Sequence, residues 1–380
     1  MLAPSALSAI GAHATLFPPA PPHVTSAALK PADVIMPKPQ HPTCPDAARV
    51  TRAARLSVAP MMDWTDRHCR MLHRQLSKEV LLYTEMVTSA ALVRGGARHL
   101  LDFDNGEHPV ALQLGGSDPD ELAEAARMGE AAGYAEINLN VGCPSDRVQS
   151  GSFGAVLMEQ PALVADCVAA MIEQVSVPVT VKCRIGVDDQ NPEEVLPDFL
   201  SRIVAAGCER VTIHARKAWL QGLSPKENRD IPPLDYPLVQ RMKEYFPNLH
   251  ISVNGGITSL GQAAEFLDRG MDGIMIGRAA YHDPCAILCD ADPIIFGTGE
   301  QSSAHDAVLA MLPYIENHLV AGGKLGQVTR HMLGLFAGKP GARAWRRTLS
   351  EGAHRAGAGT ELVLEALGHV SGDATTRRAG

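Results

Sequence analysis

The stretch Asn138-Leu139-Asn140-Val141-Gly142-Cys143-Pro144 holds the most chemistry per residue in this 380-residue chain. A polar Asn140 ends an apolar run, and Gly142 allows close backbone approach. Pro144 removes a donor and fixes the turn. A lone cysteine is more often a small buried hydrophobe. Its place on a tight turn after a strand argues instead for a thiol facing a ligand. An ordinary thiol, with a pKa of about 8.5, keeps its proton at neutral pH and suits a general acid.

Other side chains suggest what that thiol would meet. In Val181-Lys182-Cys183-Arg184, alternation puts Lys182 and Arg184 on one face. Two cations ending an apolar strand are costly without an anion or polar ligand. The competing reading is an ion pair with a carboxylate such as Glu85. His214, in Ile213-His214-Ala215-Arg216, is either structural or a further ligand-facing group. Gln113 offers a donor and an acceptor, which matches the mixed edge of a flavin pyrimidine ring or simply solvent. Pro60, Met61 and Met62 present adaptable apolar surface to a planar ring, or packing at a rim.

These groups need a frame that brings them together. Apolar runs at 56–61, 81–86, 109–114, 136–141, 178–183, 210–215, 250–254 and 273–276 alternate with helical sequence. That rhythm predicts a (β/α)8 TIM barrel, with the site at the C-terminal ends of its strands. Asp118 reads as an N-cap before Pro119, and Gly133, Gly207 and Gly270 read as helix ends. Asn254-Gly255-Gly256 and Gly277-Arg278 then follow strands 7 and 8. Glycines there, each opening a helix, form the phosphate site of such barrels. A phosphorylated planar cofactor results, and FMN fits better than NAD because no Rossmann unit with G-x-G-x-x-G is present.

The predicted organisation has three parts. Residues 1–52 are a Pro/Ala-rich disordered tail without a secretory pattern. Residues 53–295 form the barrel, and 296–380 a helical domain with a short disordered end. Residues 317–350 carry Lys324, Arg330, Lys339, Arg343, Arg346 and Arg347 and no acid. Arg343, Arg346 and Arg347 share one helix face. This is a phosphate-binding patch or a solvated face. The net charge of −8 argues against nucleic acid on average, but binding follows local patches. Eight cysteines without C-x-x-C fit reduced thiols in a cytoplasm, and Cys285 with Cys289 is too few ligands for a metal.

These motifs together resemble the tRNA-dihydrouridine synthase family, and its A subgroup most closely, over about residues 55–370. Besides those quoted, Ala59-Pro60-Met61 and Gly341-Ala342-Arg343-Ala344-Trp345-Arg346-Arg347 carry the likeness. The resemblance implies an FMN-binding TIM barrel followed by a helical tRNA-binding domain. It implies that Pro60, Met61, Met62, Gln113, Lys182, His214, Asn254, Gly255, Gly256, Gly277 and Arg278 hold FMN. Cys143 would be the catalytic acid and Asn140 would contact the substrate nucleotide. Arg184, Lys226, Arg229, Arg343 and Arg346 would serve the tRNA. NADPH would reduce FMN, which would pass a hydride to uracil C6 while Cys143 protonates C5, at D-loop positions 20 and 20a. The target base would have to leave the RNA stack. A monomer without metal, membrane or obligate protein partner is expected. The alternatives are an FMN-dependent dehydrogenase of a free pyrimidine, dihydroorotate-type, and a non-catalytic tRNA-binding protein.

Overall fold

The computed structural model describes residues 47–145 and 152–370. Eight parallel strands close a barrel in sequence order: β1 (Leu56–Val58), β2 (Leu81–Thr88), β3 (Val110–Gly115), β4 (Glu136–Val141), β5 (Val179–Arg184), β6 (Arg210–His214), β7 (His250–Asn254) and β8 (Gly273–Ile276). β8 pairs with β1 to complete the ring. The expected (β/α)8 architecture is present. β1 is three residues shorter than the apolar run suggested. Past Val58 the chain leaves the ladder at Pro60, which has no N–H to give. It then turns through Asp63, whose φ is 65°, with Thr65 N bonded to Met61 O at 3.0 Å.

Helix signals hold where caps were legible. Asp118 accepts from Glu121 N to open Pro119–Ala132, and Gly133 ends it at φ 101°. The helix Ala47–Ala53 is a departure, because its first six residues fall in the expected tail. Its Val50 and Ala53 are buried in one cluster with Leu81, Tyr83, Ala111 and Met275. Burial of that apolar face at the floor of the barrel explains why the segment is ordered. The rest of the expected tail, residues 1–46, lies outside the described residues.

After β8 the chain is helical, through Ala304–Val320, Leu325–Met332, Ala342–Gly352 and Thr360–Leu367. Trp345 is fully buried among these helices and donates its indole N–H to Met332 O at 3.0 Å. The first two of them pack on the helix Arg67–Leu76 that follows β1. At this junction Asp66 caps that helix and also meets Arg330 at 2.5 Å and His331 at 3.0 Å. Burial alone would raise the Asp66 carboxyl, but the His331 and Arg330 contacts outweigh it and hold the group well below the usual carboxylate range. The barrel and these helices fall within one compact unit. Among the described residues no helix is long and apolar enough to cross a membrane.

Candidate active site at the barrel mouth

Two-residue alternation decides which side chains enter the barrel. On β4 it selects Glu136, Asn138 and Asn140, and on β5 Thr180, Lys182 and Arg184. The register sets Gln113 beside Asn138, Asn140 beside Lys182, Arg184 beside His214, and His214 beside Asn254. The strand-end residues singled out from sequence therefore converge on one mouth.

Cys143 sits just above this layer, partly exposed. The Asn140 side-chain oxygen accepts from Gly142 N at 3.1 Å and Cys143 N at 3.0 Å. Ala155 N binds Cys143 O at 2.9 Å. The backbone of the cysteine is thus held from both sides, while its thiol reaches Ser145 Oγ at 3.5 Å. Asn140, expected to touch substrate, also fixes the turn, and its Nδ2 donates to Gln113 Oε1 at 2.8 Å. The chain of bonds continues downward. Gln113 Nε2 donates to Asn138 Oδ1 at 2.8 Å, and Asn138 Nδ2 to Thr180 Oγ1 at 2.8 Å. Thr180 then donates to Glu136, which pairs with Arg210 and accepts from Tyr83 at 2.8 Å.

The cations are placed differently from the ion-pair reading. Lys182 donates to Asn254 Oδ1 at 3.2 Å rather than to Glu85. Arg184 gives its hydrogen bonds to three backbone carbonyls, Gly142 O at 2.9 Å and Lys217 O and Asn228 O at 3.0 Å. Burial, then the Arg184 charge, lowers the Lys182 ammonium to about 8. Burial likewise lowers Arg184 to about 10. His214 is pushed well below its ordinary value by burial and by Arg184, Lys182, Arg216 and Arg229, so its imidazole is neutral at pH 7.

The glycine turns divide. Gly255 has φ 110°, and a Cβ there would lie 2.6 Å from His214 Cδ2 and 2.9 Å from its Nε2. Gly256 has φ 70°, and its Cβ would meet Leu234 at 2.6 Å. Bare backbone is required at both. Neither opens a helix as expected: the next helix, Leu260–Asp268, is capped by Ser259. Gly277 does precede Arg278–His282, but a Cβ there would find only Ala59 and Met61 at 3.5 Å. Arg278 is paired with Asp230 at 2.7 Å. Met61 is nearly buried, whereas Met62 is 55% exposed, so the two do not share one face. Pro60 is half-buried between them and β1.

The loop after β6 brings Arg229 to the mouth, within electrostatic range of Cys143 and Arg278, and leaves Lys226 exposed. Buried Asn228 anchors it, accepting from Trp219 N at 2.7 Å and donating to Trp219 O at 2.8 Å. Sequence reasoning missed Asn138, Thr180 and Glu136, although their spacing along β4 and β5 was readable. It also passed over Arg216, whose Nε is buried without a hydrogen-bond partner among the described residues. Arg343 and Arg346 are exposed on the helix Ala342–Gly352, away from this layer. Arg330, one of the expected patch cations, is spent on Asp66.

The dihydrouridine synthase (Dus) family model matches residues 57–370, nearly all of the described chain. The chain belongs to the dihydrouridine synthase family. Among relatives, a tRNA-dihydrouridine(20/20a) synthase of Vibrio parahaemolyticus is 56% identical over 323 residues, covering 84% of this chain and 98% of that protein. Those of the same name from Salmonella typhi and Escherichia coli K12 are 59% and 58% identical, covering 83% and 85% of this chain and 95% and 93% of theirs. Against that family, the mouth and its cysteine turn are where an oxidoreductase centre is to be sought.

Proposed function

We propose that this chain is a tRNA-dihydrouridine synthase that uses FMN and NADPH, acts on D-loop uridines at positions 20 and 20a, and works in the cytoplasm. The observation that carries the reading is the pinned Cys143 turn, set beside Lys182, Arg184 and Arg229. The residues present fit FMN. Gly255 and Gly256 leave backbone that a Cβ would fill, Arg216 Nε is a buried donor without a partner among the described residues, and Lys182 and Gln113 add a cation and a carboxamide. Lys182, His214, Arg216, Asn254, Gly255 and Gly256 would hold it, with Gln113 at the ring edge, and Pro60, Met61, Met62, Gly277 and Arg278 on the β1–β8 side. Bound there, FMN supplies hydride chemistry to a uracil ring.

The protein's own part is proton transfer and charge control. Cys143 donates its proton to uracil C5. The thiolate left behind lies within electrostatic range of Lys182, Arg184 and Arg229, which stabilise it until a proton returns. Asn140 keeps the thiol's backbone fixed during this exchange, so no reorganisation is required of it. The helices between Ala304 and Leu367, with Arg343 and Arg346, and the loop cations Lys226 and Arg229 engage tRNA phosphates.

Purified protein should be yellow with bound flavin, and dihydrouridine should vanish from positions 20 and 20a of tRNA in a strain lacking the gene. A colourless, flavin-indifferent protein would sink the cofactor. Unchanged dihydrouridine with turnover of a free pyrimidine would favour the dehydrogenase reading.

A further inference from the structure

The amide groups under Cys143 form a chain whose polarity is fixed at both ends. At the top, Gly142 N and Cys143 N can only donate, so the Asn140 oxygen must face them. Its Nδ2 must then donate to Gln113 Oε1, leaving Gln113 Nε2 to donate to Asn138 Oδ1. Asn138 Nδ2 in turn gives to Thr180 Oγ1. At the bottom, Thr180 O–H ends on the Glu136 carboxylate, which also takes the Arg210 guanidinium. The side chains of Asn140, Gln113, Asn138, Thr180, Glu136 and Arg210 are all buried. Reversing any one amide would set oxygen against oxygen or hydrogen against hydrogen, a costly mismatch between buried polar groups.

We infer that Thr180 and Asn138 are positioning residues. With Glu136 as the terminus, they set which end of the Gln113 carboxamide is turned to the mouth, and through Asn140 they hold the Cys143 turn. Among the described residues, Gln113 keeps one Nε2 hydrogen and one Oε1 lone pair uncommitted. Their order is dictated from the barrel floor, not by the ligand. A planar ring edge with alternating acceptor and donor meets a carboxamide already oriented. The consequence for catalysis rests on the flavin and thiol roles proposed above; the ordering itself does not.

Thr180→Val keeps the shape and removes the hydroxyl, so Asn138 loses its acceptor and Glu136 a donor. Thr180→Ser restores both. Tyr83→Phe removes a different bond to the same carboxylate and leaves the chain whole. The readouts are the alkylation rate of Cys143 by iodoacetamide in flavin-free protein, followed by peptide mass spectrometry, and FMN affinity by fluorescence. Thr180→Val should change the alkylation rate and weaken FMN binding, each about three- to tenfold. Thr180→Ser and Tyr83→Phe should stay within about twofold. Equal effects from Thr180→Val and Tyr83→Phe would reduce Thr180 to general packing and overturn the inference. So would no effect from either. A changed alkylation rate with no FMN binding by any form would leave the ordering intact and sink the cofactor reading instead. If Thr180→Val does not fold, glutamine-labelled parent protein decides by NMR: one Gln113 side-chain proton should exchange slowly, and two fast protons would refute the chain.

Discussion

Lys182 offers the sharpest test because its charge should help one property and harm another. Its ammonium titrates at about 8 in the folded protein instead of the ordinary 10.5, first because of burial and then because of Arg184. Below pH 8 the folded state therefore carries a charge it would rather shed. Between about 8 and 10.5 the unfolded chain binds more protons, so this group's contribution to stability rises with pH. The full shift corresponds to about 3 kcal/mol, and partial solvent access and the bond to Asn254 reduce the recoverable part to about 1 kcal/mol. Lys182→Met should accordingly raise the Tm of flavin-free protein at pH 7, and the gain should shrink by pH 10. Toward FMN the sign reverses. A hydrogen bond from a charged donor is worth about 1.5–3 kcal/mol, so the variant should bind FMN about 10- to 100-fold more weakly. Parent affinity should also fall up to tenfold per pH unit above about 8, and Lys182→Met should lose that slope. Fluorescence titration at several pH values, with thermal melts alongside, gives both numbers. Parent affinity that stays flat to about pH 9.5, or a variant less stable at pH 7, would refute the account.

Cys143→Ala should bind FMN and accept electrons from NADPH normally, yet reduce uridine about 10²–10⁴-fold more slowly, the usual worth of a general acid; near-normal turnover would remove the thiol from that role. Gly255→Val forces a side chain to within 2.6 Å of the His214 ring at φ 110° and should yield folded, colourless protein, whereas Gly277→Ala, with 3.5 Å of clearance, should retain flavin; stoichiometric flavin in Gly255→Val would contradict the phosphate assignment. Removing Arg343 and Arg346 together should weaken tRNA binding and flatten its salt dependence by about one unit of slope per lost phosphate contact; identical binding at every salt concentration would make that face mere solvated surface.

Period and spacing alone determined the barrel and its orientation, because alternating strands and capped helices bury their apolar faces in few ways. The same alternation put Lys182 and Arg184 on one face and placed Cys143 on a turn at the mouth. Local pattern could not decide what those side chains face. Glu85 was a reasonable partner for the two cations on sequence, yet closure of the ring gave Lys182 to Asn254 and Arg184 to the carbonyls of Gly142, Lys217 and Asn228. Asn140 reads as a ligand contact in sequence, and only the folded turn shows that it is also a brace. Helix Ala47–Ala53 reads as tail until the floor it packs against exists. Gly255 and Gly277 look alike in sequence, and only the fold, through a φ of 110° and the neighbouring His214 and Leu234, makes a side chain intolerable at the first. The ladder from Cys143 to Glu136 joins β3, β4 and β5 through side chains far apart in the chain. Its polarity is a property of the assembled register, which no single segment encodes.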